Sequence, residues 1–425
     1  ILITKTFTKE KNLIAPMVVI LIAVLANFII TARLAMLSAL FFALIIFTLE
    51  KLDKKTYWYW PIIFWFWAAL HGSWILGFIV ITIYLTSYLI TQIIPTKYEI
   101  LIGKKMIWDK KLWWKALAAT VASAVAVMAN PYGTKIWTEV IHYFSENYFK
   151  SYINEWLPSY AFPVFPWPLI IAAICLAFVI WGLIKKKITL AQFLLYLAIF
   201  YAALQHKRNN LYLLILLAPV ITIILTKITE MIRIKKQRIL FNILYALIII
   251  GSITLAFSQI KNTDYSRDLF NNSKLLSHWG APYEAVNFLK QDNQQENTKI
   301  FNEFWWGGYL NWTMRESLVY LDGRGTATWR LNNQETLLGA YRRLKFEDHG
   351  LEELEKNQVK YVILERNFSG YSQSDKFNKF LFGDKLNQVL EIKDPQLVTD
   401  LAQSENWKLI YKDNIALIWK NLTVR

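Results

Sequence analysis

The chain has 425 residues, 55% of them hydrophobic and 16% aromatic, and its mean hydropathy is +0.28. This composition is too apolar for a chain that is water-soluble along its whole length. The formal net charge is +16, but the basic residues cluster beside apolar runs, so we expect contact with membrane lipid and no nucleic-acid partner. The single cysteine, Cys175, excludes a disulfide within the chain.

Nine apolar runs follow one another through residues 1–258. A membrane-crossing helix needs about 20 apolar residues to traverse a hydrocarbon core of about 30 Å. We therefore predict a transmembrane helical domain over residues 1–258, in which the short third run forms a tight hairpin with the fourth. The predicted spans are residues 12–31, 34–50, 57–70, 73–94, 113–130, 167–184, 188–205, 210–227 and 239–258.

The distribution of basic residues predicts which helix ends face the cytoplasm, because cytoplasmic loops are enriched in Lys and Arg. Five clusters between the runs hold twenty Lys and Arg, whereas the alternate loops hold five. We predict a multi-pass protein of the plasma (inner) membrane, with the N-terminus of this chain cytoplasmic and the region after the last span extracytoplasmic. The clusters lie in residues 5–11, 51–55, 97–115, 185–187 and 227–238.

Residues 259–425 have the pattern of a small extracytoplasmic α/β domain. Short apolar or β-branched runs, predicted as strands, alternate with amphipathic stretches predicted as helices. This alternation favours a mainly parallel sheet covered by helices on both faces. The predicted strands are residues 299–301, 318–321, 359–364 and a hairpin of 407–411 with 415–419, and the predicted helices are 282–290, 333–344 and 395–404.

Polar residues at the predicted outer face are the first candidates for function, since charges near a bilayer are energetically costly. Arg33 follows the first span, His71 begins the turn between the third and fourth, and Lys207 and Arg208 join the seventh and eighth. Arg33 could equally snorkel to the interface, and His71 could belong to a simple helix-ending turn. All four residues nevertheless fall on one predicted face.

The long loop 131–166 adds a carboxylate to that face. Residues 135–149 are amphipathic and predict a helix lying along the interface. Glu155 and Trp156 follow it. Trp156 suits an interfacial anchor, whereas Glu155 could act as an acid, a base or a metal ligand. A divalent-metal cofactor stays open, because the sequence has no ligand set that would place the ion.

In the α/β domain the densest motif is residues 301–310, followed by an Asp-Gly-Arg turn at 322–324. Its two tryptophans could stack on a sugar ring, and its two glycines open a helix whose free backbone N–H groups suit an anion. The alternative is structural, with glycines that allow close packing and an Asp–Arg pair across the turn. The candidate acceptor-binding residues are Trp305, Trp306, Gly307, Gly308, Asp322 and Arg324.

Several of these motifs form an ordered series. They are Arg33, residues 67–72 with Gly77, residues 130–133, Glu155-Trp156, Arg208, residues 306–310 and residues 322–324. The series resembles an uncharacterised bacterial branch of membrane proteins similar to the GT-C glycosyltransferases, which include protein O-mannosyltransferases and lipid A sugar transferases. The resemblance covers nearly the whole chain. It implies a polytopic transferase that takes a sugar from a polyprenyl-phosphate carrier on the outer face.

The series also departs from that family. Its members carry an acidic motif in the first external loop, whereas the first external loop predicted in this chain, which contains Arg33, has no acidic residue. Leu34 stands where a proline often follows the arginine. Because the chain also begins with Ile1 rather than Met, we expect that an N-terminal portion carrying the acidic loop precedes it.

The resemblance implies roles for the outer-face residues. Arg33, Lys207 and Arg208 would hold the carrier phosphate, and His71 or Glu155 would orient or deprotonate the acceptor hydroxyl. Two other classes stay open. One is a lipid or polysaccharide transporter, against which the apolar centres of the spans argue, and the other is a non-catalytic scaffold with an envelope-binding domain. The sugar, the acceptor and the oligomeric state are not determined by the sequence.

Overall fold

The computed structural model divides the chain into two compact units. The helical unit comprises Ile1–Phe144 with Lys150–Ile260, and the α/β unit comprises Ser145–Phe149 with Lys261–Arg425. The boundary predicted from the sequence is after residue 258. The structure describes residues 14–25, 34–51, 55–145, 154–160, 166–231, 246, 250–251, 253–254, 281–292, 296–323, 330–331, 335–347, 349–366 and 395–424.

Most of the described part of the helical unit is α-helical, and its helices fall on the predicted apolar runs to within a few residues. An additional helix, α6, occupies the predicted amphipathic segment. The ninth predicted span lies almost wholly outside the described residues. The helices are α1 Ile14–Leu25, α2 Ala35–Glu50, α3 Trp60–Leu70, α4 Ile75–Ile93, α5 Lys110–Ala126, α6 Lys135–Ser145, α7 Pro166–Ile184, α8 Leu190–Gln205 and α9 Asn210–Met231.

These helices do not support nine membrane crossings. Predicted span 57–70 contains an α-helix of only 11 residues, about 16 Å at 1.5 Å per residue, which is too short for a core of about 30 Å. Among the described helices, three segments are long and apolar enough to cross a membrane: Gly72–Ile93, Trp167–Ile184 and Lys207–Ile228. Three others are apolar but shorter: Ile14–Ala23, Ala35–Glu50 and Leu190–Gln205.

Buried aromatic side chains fasten the short helix α3 to its neighbours. Trp60, Phe64 and Trp67 are fully buried. The indole N–H of Trp60 donates to the hydroxyl of Thr48 at 2.8 Å, and that of Trp67 donates to the hydroxyl of Ser38 at 3.0 Å. Because both acceptors belong to α2, α3 is held by hydrogen bonds as well as by apolar packing.

Gly77 allows α4 to approach α3 closely. A Cβ atom at this position would lie 2.7 Å from Cζ of Phe64 and 2.8 Å from Cζ3 of Trp67. Real Cβ atoms do not tolerate such contacts, because protein interiors are close-packed. The glycine of the sequence motif therefore serves helix packing and brings the end of α3 beside the start of α4.

The α/β unit contains a five-stranded sheet with the order β2-β1-β3-β5-β4. The predicted strands and helices are all present in it. Two short helices, α11 and α13, are also among its described elements. Its elements are α10 Tyr283–Asp292, β1 Thr298–Asn302, α11 Gly307–Thr313, β2 Ser317–Val319, α12 Leu337–Phe346, α13 Gly350–Lys356, β3 Tyr361–Glu365, α14 Gln396–Gln403, β4 Trp407–Lys412 and β5 Ala416–Asn421.

The sheet is mixed, which corrects the prediction of a mainly parallel one. Strand β1 pairs in parallel with β2 and β3, whereas β5 pairs antiparallel with β3 and β4. Strand–helix alternation accounts for the parallel pairs, since parallel strands need a crossover. The terminal hairpin adds the antiparallel pairs, because β5 enters the sheet directly beside β3.

Helices cover both faces of this sheet, as predicted. Successive residues of a strand point to opposite faces. Ile300 of β1 belongs to the apolar cluster that contains Val286 and Leu289 of α10. Phe301, the next residue, stacks on Tyr341 of α12 with ring centroids 5.5 Å apart. The carboxyl ends of the parallel strands therefore lie between two helical layers.

Candidate functional site

His71 is fixed where α3 gives way to a 3-10 turn, Gly72–Trp74. Its backbone is extended (φ −161°, ψ 138°), so the helix ends there. The imidazole Nδ1 accepts a hydrogen bond from the backbone N–H of Ser73 at 3.2 Å and lies 2.8 Å from the Ser73 hydroxyl. Because Nδ1 is an acceptor, these bonds assign the ring proton of the neutral imidazole to Nε2.

Tyr212 of α9 extends this arrangement from a distant part of the chain. Its phenolic O–H donates to Oγ of Ser73 at 3.1 Å. The ring is buried at 4% exposure and packs on Phe42 of α2, with centroids 5.0 Å apart. The hydroxyls of Tyr212 and Ser73 thus form a chain of hydrogen bonds that reaches Nδ1 of His71.

Two 3-10 turns, Asn154–Trp156 and Lys207–Asn209, are bound together beside this group. Nδ1–H of His206 donates to the carbonyl of Trp156 at 2.6 Å, and the backbone N–H of Lys207 donates to the carbonyl of Leu157 at 2.9 Å. The guanidinium of Arg208 lies 4.4 Å from the centre of the Trp156 ring, a cation–π contact. These contacts hold Arg208 near Glu155, although the sequence separates them widely.

His71, Glu155 and Arg208 form one electrostatic group. The pKa of His71 is lowered to about 4, mainly by burial and also by the positive charge of Arg208, while Glu155 opposes the shift. His71 is therefore a neutral imidazole at physiological pH. The group combines a fixed cation, a neutral imidazole and an exposed carboxylate, which can hold an anion beside a hydroxyl group that is to be deprotonated.

The other two predicted phosphate-binding cations are placed differently. Lys207 is 8% exposed, so its side chain is largely enclosed by the helical unit. Arg33 lies outside the described residues. Because Asn210 is uncharged, the sequence predicts that Asn210→Ala has little effect. In the structure Asn210 is buried, and its side-chain amide donates to Ser159 at 3.0 Å and to the carbonyl of Lys207 at 2.9 Å. A change at Asn210 would disturb the turn that carries Arg208.

In the α/β unit the predicted acceptor-binding motif separates into exposed and buried parts. Trp305 is 58% exposed, whereas Trp306 is 5% exposed and belongs to the apolar core. Only the first ring can reach a ligand from solvent. A Cβ at Gly307 would lie 1.9 Å from the carbonyl oxygen of Leu321, whereas one at Gly308 would meet nothing within 4 Å. Glycine at position 307 therefore allows close packing against the backbone of Leu321.

Asp322 is positioned by α11. Its carboxylate is 5% exposed and accepts a hydrogen bond from the side-chain amide of Asn311 at 2.6 Å. Arg324, its predicted partner across the turn, lies outside the described residues. Asp322 therefore helps to join the loop after β2 to α11.

A buried polar cluster that was not predicted from the sequence lies at the carboxyl end of β1. The carboxylate of Glu303 accepts hydrogen bonds from Lys345 at 2.7 and 2.8 Å and from the hydroxyl of Tyr341 at 2.6 Å. Burial, together with the charge of Glu303, raises the pKa of Glu365 at the end of β3. The only sequence signal was an acidic residue directly after a strand, which is where ligands bind in open α/β sheets.

No metal centre is formed within the part of the chain that the structure describes, since it contains no group of three or more His, Cys, Asp or Glu side chains able to hold an ion. Comparison with known proteins adds no assignment. No protein-family model matches the sequence, and no curated protein shows significant similarity to it.

Proposed function

We propose that this chain is a membrane glycosyltransferase of the GT-C type. It would transfer a sugar from a polyprenyl-phosphate carrier to an envelope acceptor at the outer face of the plasma (inner) membrane. The observation that carries the proposal is the grouping of His71, Glu155 and Arg208, which come from three separate loops. The ordered motif series of the sequence supports the same reaction class.

The helical unit has surfaces that suit a lipid carrier. Helix α7 buries Ala172 and Cys175 but exposes Ile174, Phe178 and Trp181, with 47% exposure at Trp181. A helix that is apolar on its exposed side as well as its buried side is suited to lipid rather than water. In the proposed orientation, the helix ends that carry His71 and Arg208 face outward, and the lysine-rich ends face the cytoplasm.

The chemistry assigns one role to each charged group. The acceptor hydroxyl oxygen attacks the anomeric carbon of the sugar, the bond from that carbon to the phosphate oxygen breaks, and polyprenyl phosphate leaves with the bonding electron pair. Arg208 stabilises the negative charge that develops on this phosphate. Glu155, exposed and acidic, receives the acceptor proton.

His71 acts as a neutral hydrogen-bond donor in this scheme. Its Nδ1 is occupied by Ser73, so Nε2–H is the group left to orient a hydroxyl or phosphate oxygen. The positive charge of Arg208 is one of the causes of the low pKa of His71. A bound phosphate would offset that charge and so weaken this cause. The α/β unit would bind the acceptor, with Trp305 as the accessible aromatic ring.

The test compares two variants that each remove one cation from the same predicted face. Arg208→Ala removes the proposed phosphate contact, and Lys135→Ala removes an exposed lysine at the start of α6. The purified chain in nanodiscs is titrated with a panel of polyprenyl-phosphate sugars, and release of polyprenyl phosphate is followed with envelope extract as the acceptor. A charge-assisted contact is worth roughly 1.5–3 kcal/mol, so Arg208→Ala should weaken binding about ten- to a hundredfold.

The outcomes separate the function classes. Binding and release that depend on Arg208 but not on Lys135 support the transferase. Carrier binding without release of polyprenyl phosphate points to a transporter. If the chain binds no carrier, the proposal is contradicted and the non-catalytic scaffold is the remaining function class.

A further inference from the structure

A cavity of about 280 Å³ lies at the other end of the helical unit from His71. It is lined by Ile102, Gly103, Lys104, Lys105 and Lys186. Helix α4 begins beside the His71 turn and ends shortly before this loop, and α8 begins after Lys186 and ends beside Arg208. Two helices thus connect the two sites, and the cavity belongs to the end predicted to be cytoplasmic.

The two loops that form the cavity are tied together by backbone contacts. The N–H of Lys104 donates to the carbonyl of Ile188 at 2.7 Å, and Gly103 forms an antiparallel bridge with Thr189. Gly103 has φ +70°, and a Cβ there would lie 2.4 Å from the carbonyl oxygen of Ile188. Only glycine combines this conformation with this approach.

The turn that carries Lys186 is equally well defined. Lys186 itself has φ +54°, in the left-handed region. The N–H groups of Lys187 and Ile188 both donate to the carbonyl of Gly182, at 2.7 and 3.3 Å, which closes the end of α7. The backbones of Lys104 and Lys186 are therefore held in place, one on each loop, and the side chains of all three cavity lysines are exposed.

Three of the five residues that line the cavity are lysines. Lys104 and Lys105 come from one loop and Lys186 from the other. Glu50 lies within electrostatic range of Lys104, but its carboxylate accepts hydrogen bonds from Tyr84 at 2.5 Å and from Gln192 at 3.0 Å. That carboxylate is engaged in joining α2, α4 and α8.

We propose that this cavity binds a phosphate group, supplied either by the headgroup of an anionic phospholipid or by a soluble phosphate. Lysine ammonium groups are compact donors that bind phosphate as point charges. The volume lies just below the roughly 300–1,000 Å³ of sites that enclose drug-sized ligands, which suits one small charged group. Anionic lipids are enriched at the cytoplasmic surface and attract basic segments. This site does not rest on the proposed transferase function.

Two triple variants test the site with the same change in net charge. Lys104→Gln/Lys105→Gln/Lys186→Gln removes the cavity cations. Lys110→Gln/Lys111→Gln/Lys115→Gln removes three exposed cations from α5, in the same predicted cytoplasmic cluster. Each purified chain, in neutral detergent, is titrated with dioctanoyl phosphatidylglycerol, dioctanoyl phosphatidylcholine and inorganic phosphate, and binding is followed by microscale thermophoresis.

We expect phosphatidylglycerol to bind the unmodified chain more tightly than phosphatidylcholine does. The cavity variant should lose affinity by about tenfold or more, as expected for lost charge-assisted contacts, and the α5 variant by much less. Binding of phosphatidylglycerol alone identifies the lipid headgroup as the source. Comparable binding of inorganic phosphate identifies a soluble phosphate. Equal losses in the two triple variants, or equal binding of the two lipids, would overturn the proposal.

A third variant tests the built geometry separately from charge. Gly103→Ala keeps all three lysines but forces the two loops apart. A variant that still unfolds cooperatively should bind phosphatidylglycerol at least about tenfold more weakly. Unchanged binding by such a folded variant would also contradict the proposal. Where this variant does not fold, the comparison of the two triple variants decides.

Discussion

Glu303 and Lys345 form an ion pair inside the α/β unit, with 2.7 Å between Nζ of Lys345 and Oε2 of Glu303 and 4% exposure of each side chain. Tyr341 binds both partners, since its hydroxyl donates to Glu303 and accepts from Lys345 at 3.1 Å. The pair connects the end of β1 to α12. Burial of two charges is tolerated because each compensates the other at close range.

Removing one partner of this pair should destabilise the α/β unit strongly. Lys345→Met leaves the carboxylate of Glu303 buried without its cation, a change that typically costs about 3–5 kcal/mol. The measurement is hydrogen–deuterium exchange of the β1 and β3 amides in the full chain, with exposed Lys356→Met as the control. The double variant Glu303→Leu/Lys345→Met should regain most of the loss. Equal protection in Lys345→Met and Lys356→Met would disprove the structural role.

The two adjacent glycines of α11 should respond oppositely to alanine. A Cβ at Gly307 meets the backbone of Leu321 at 1.9 Å, so Gly307→Ala should destabilise the unit by about 1–3 kcal/mol or more. Gly308 has open space, and Gly308→Ala should stabilise the helix by up to about 1 kcal/mol. Hydrogen–deuterium exchange of the α11 and β1 amides measures the change in stability in each of the two variants. A similar loss of protection in both variants would contradict the packing difference between Gly307 and Gly308.

The low pKa of His71 should make the stability of the helical unit pH-dependent. The pKa is about 4 in the folded chain and about 6.5 when unperturbed, so between these values the unfolded state binds more protons. The contribution of His71 is therefore complete above about pH 6.5 and is lost as the pH falls towards 4. As the pH is lowered from 7.5 to 4.5, the melting midpoint should fall less steeply for His71→Gln than for the unmodified chain. The exposed His349 offers the matched control, His349→Gln, and an equal change of slope in both variants would contradict the role of His71.

The bias of basic residues predicts that the C-terminal region is extracytoplasmic. In a Cys175→Ala background, Ser372→Cys should react with a membrane-impermeant thiol reagent on intact cells. Lys110→Cys, at the exposed start of α5, should react only after permeabilisation. Labelling of Lys110→Cys without labelling of Ser372→Cys in intact cells would reverse the topology, and with it the proposed orientation of the His71 site.

The α/β unit should fold without the helical unit. Its core unites α10, α11, β1, β3 and β5 around buried residues such as Leu289, Leu310 and Ile363. A unit of about 165 residues is large enough for an independent core. Residues 261–425 expressed alone should give a soluble product with one cooperative thermal transition. An aggregated or non-cooperative product in several buffers would show that the core needs the rest of the chain.

The sequence predicted the candidate residues of the proposed outer-face site but not their arrangement. Charged and imidazole side chains between apolar runs identified His71, Glu155 and Arg208. The hydrogen bonds from Tyr212 to Ser73 and from His206 to the Trp156 carbonyl had no local signal, because they join segments separated by 139 and 50 residues. Periodicity and turn chemistry describe neighbours along the chain, and these contacts are not neighbours.

Local physical chemistry determined the elements of this protein. Apolar runs of helical length determined α2, α4 and α8 to within two residues, and β-branched or apolar runs determined β1 and β3, because these preferences act between residues close in sequence. Only the tertiary structure decided the position of β5 beside β3, the pairing of Glu303 with Lys345, and the meeting of Lys104 with the Lys186 turn. It also showed that the tryptophan-rich α3 is a short packed helix rather than an independent membrane span. Each of these depends on which distant surfaces pack together, and that choice is made by the shape and burial of the whole unit rather than by any single segment.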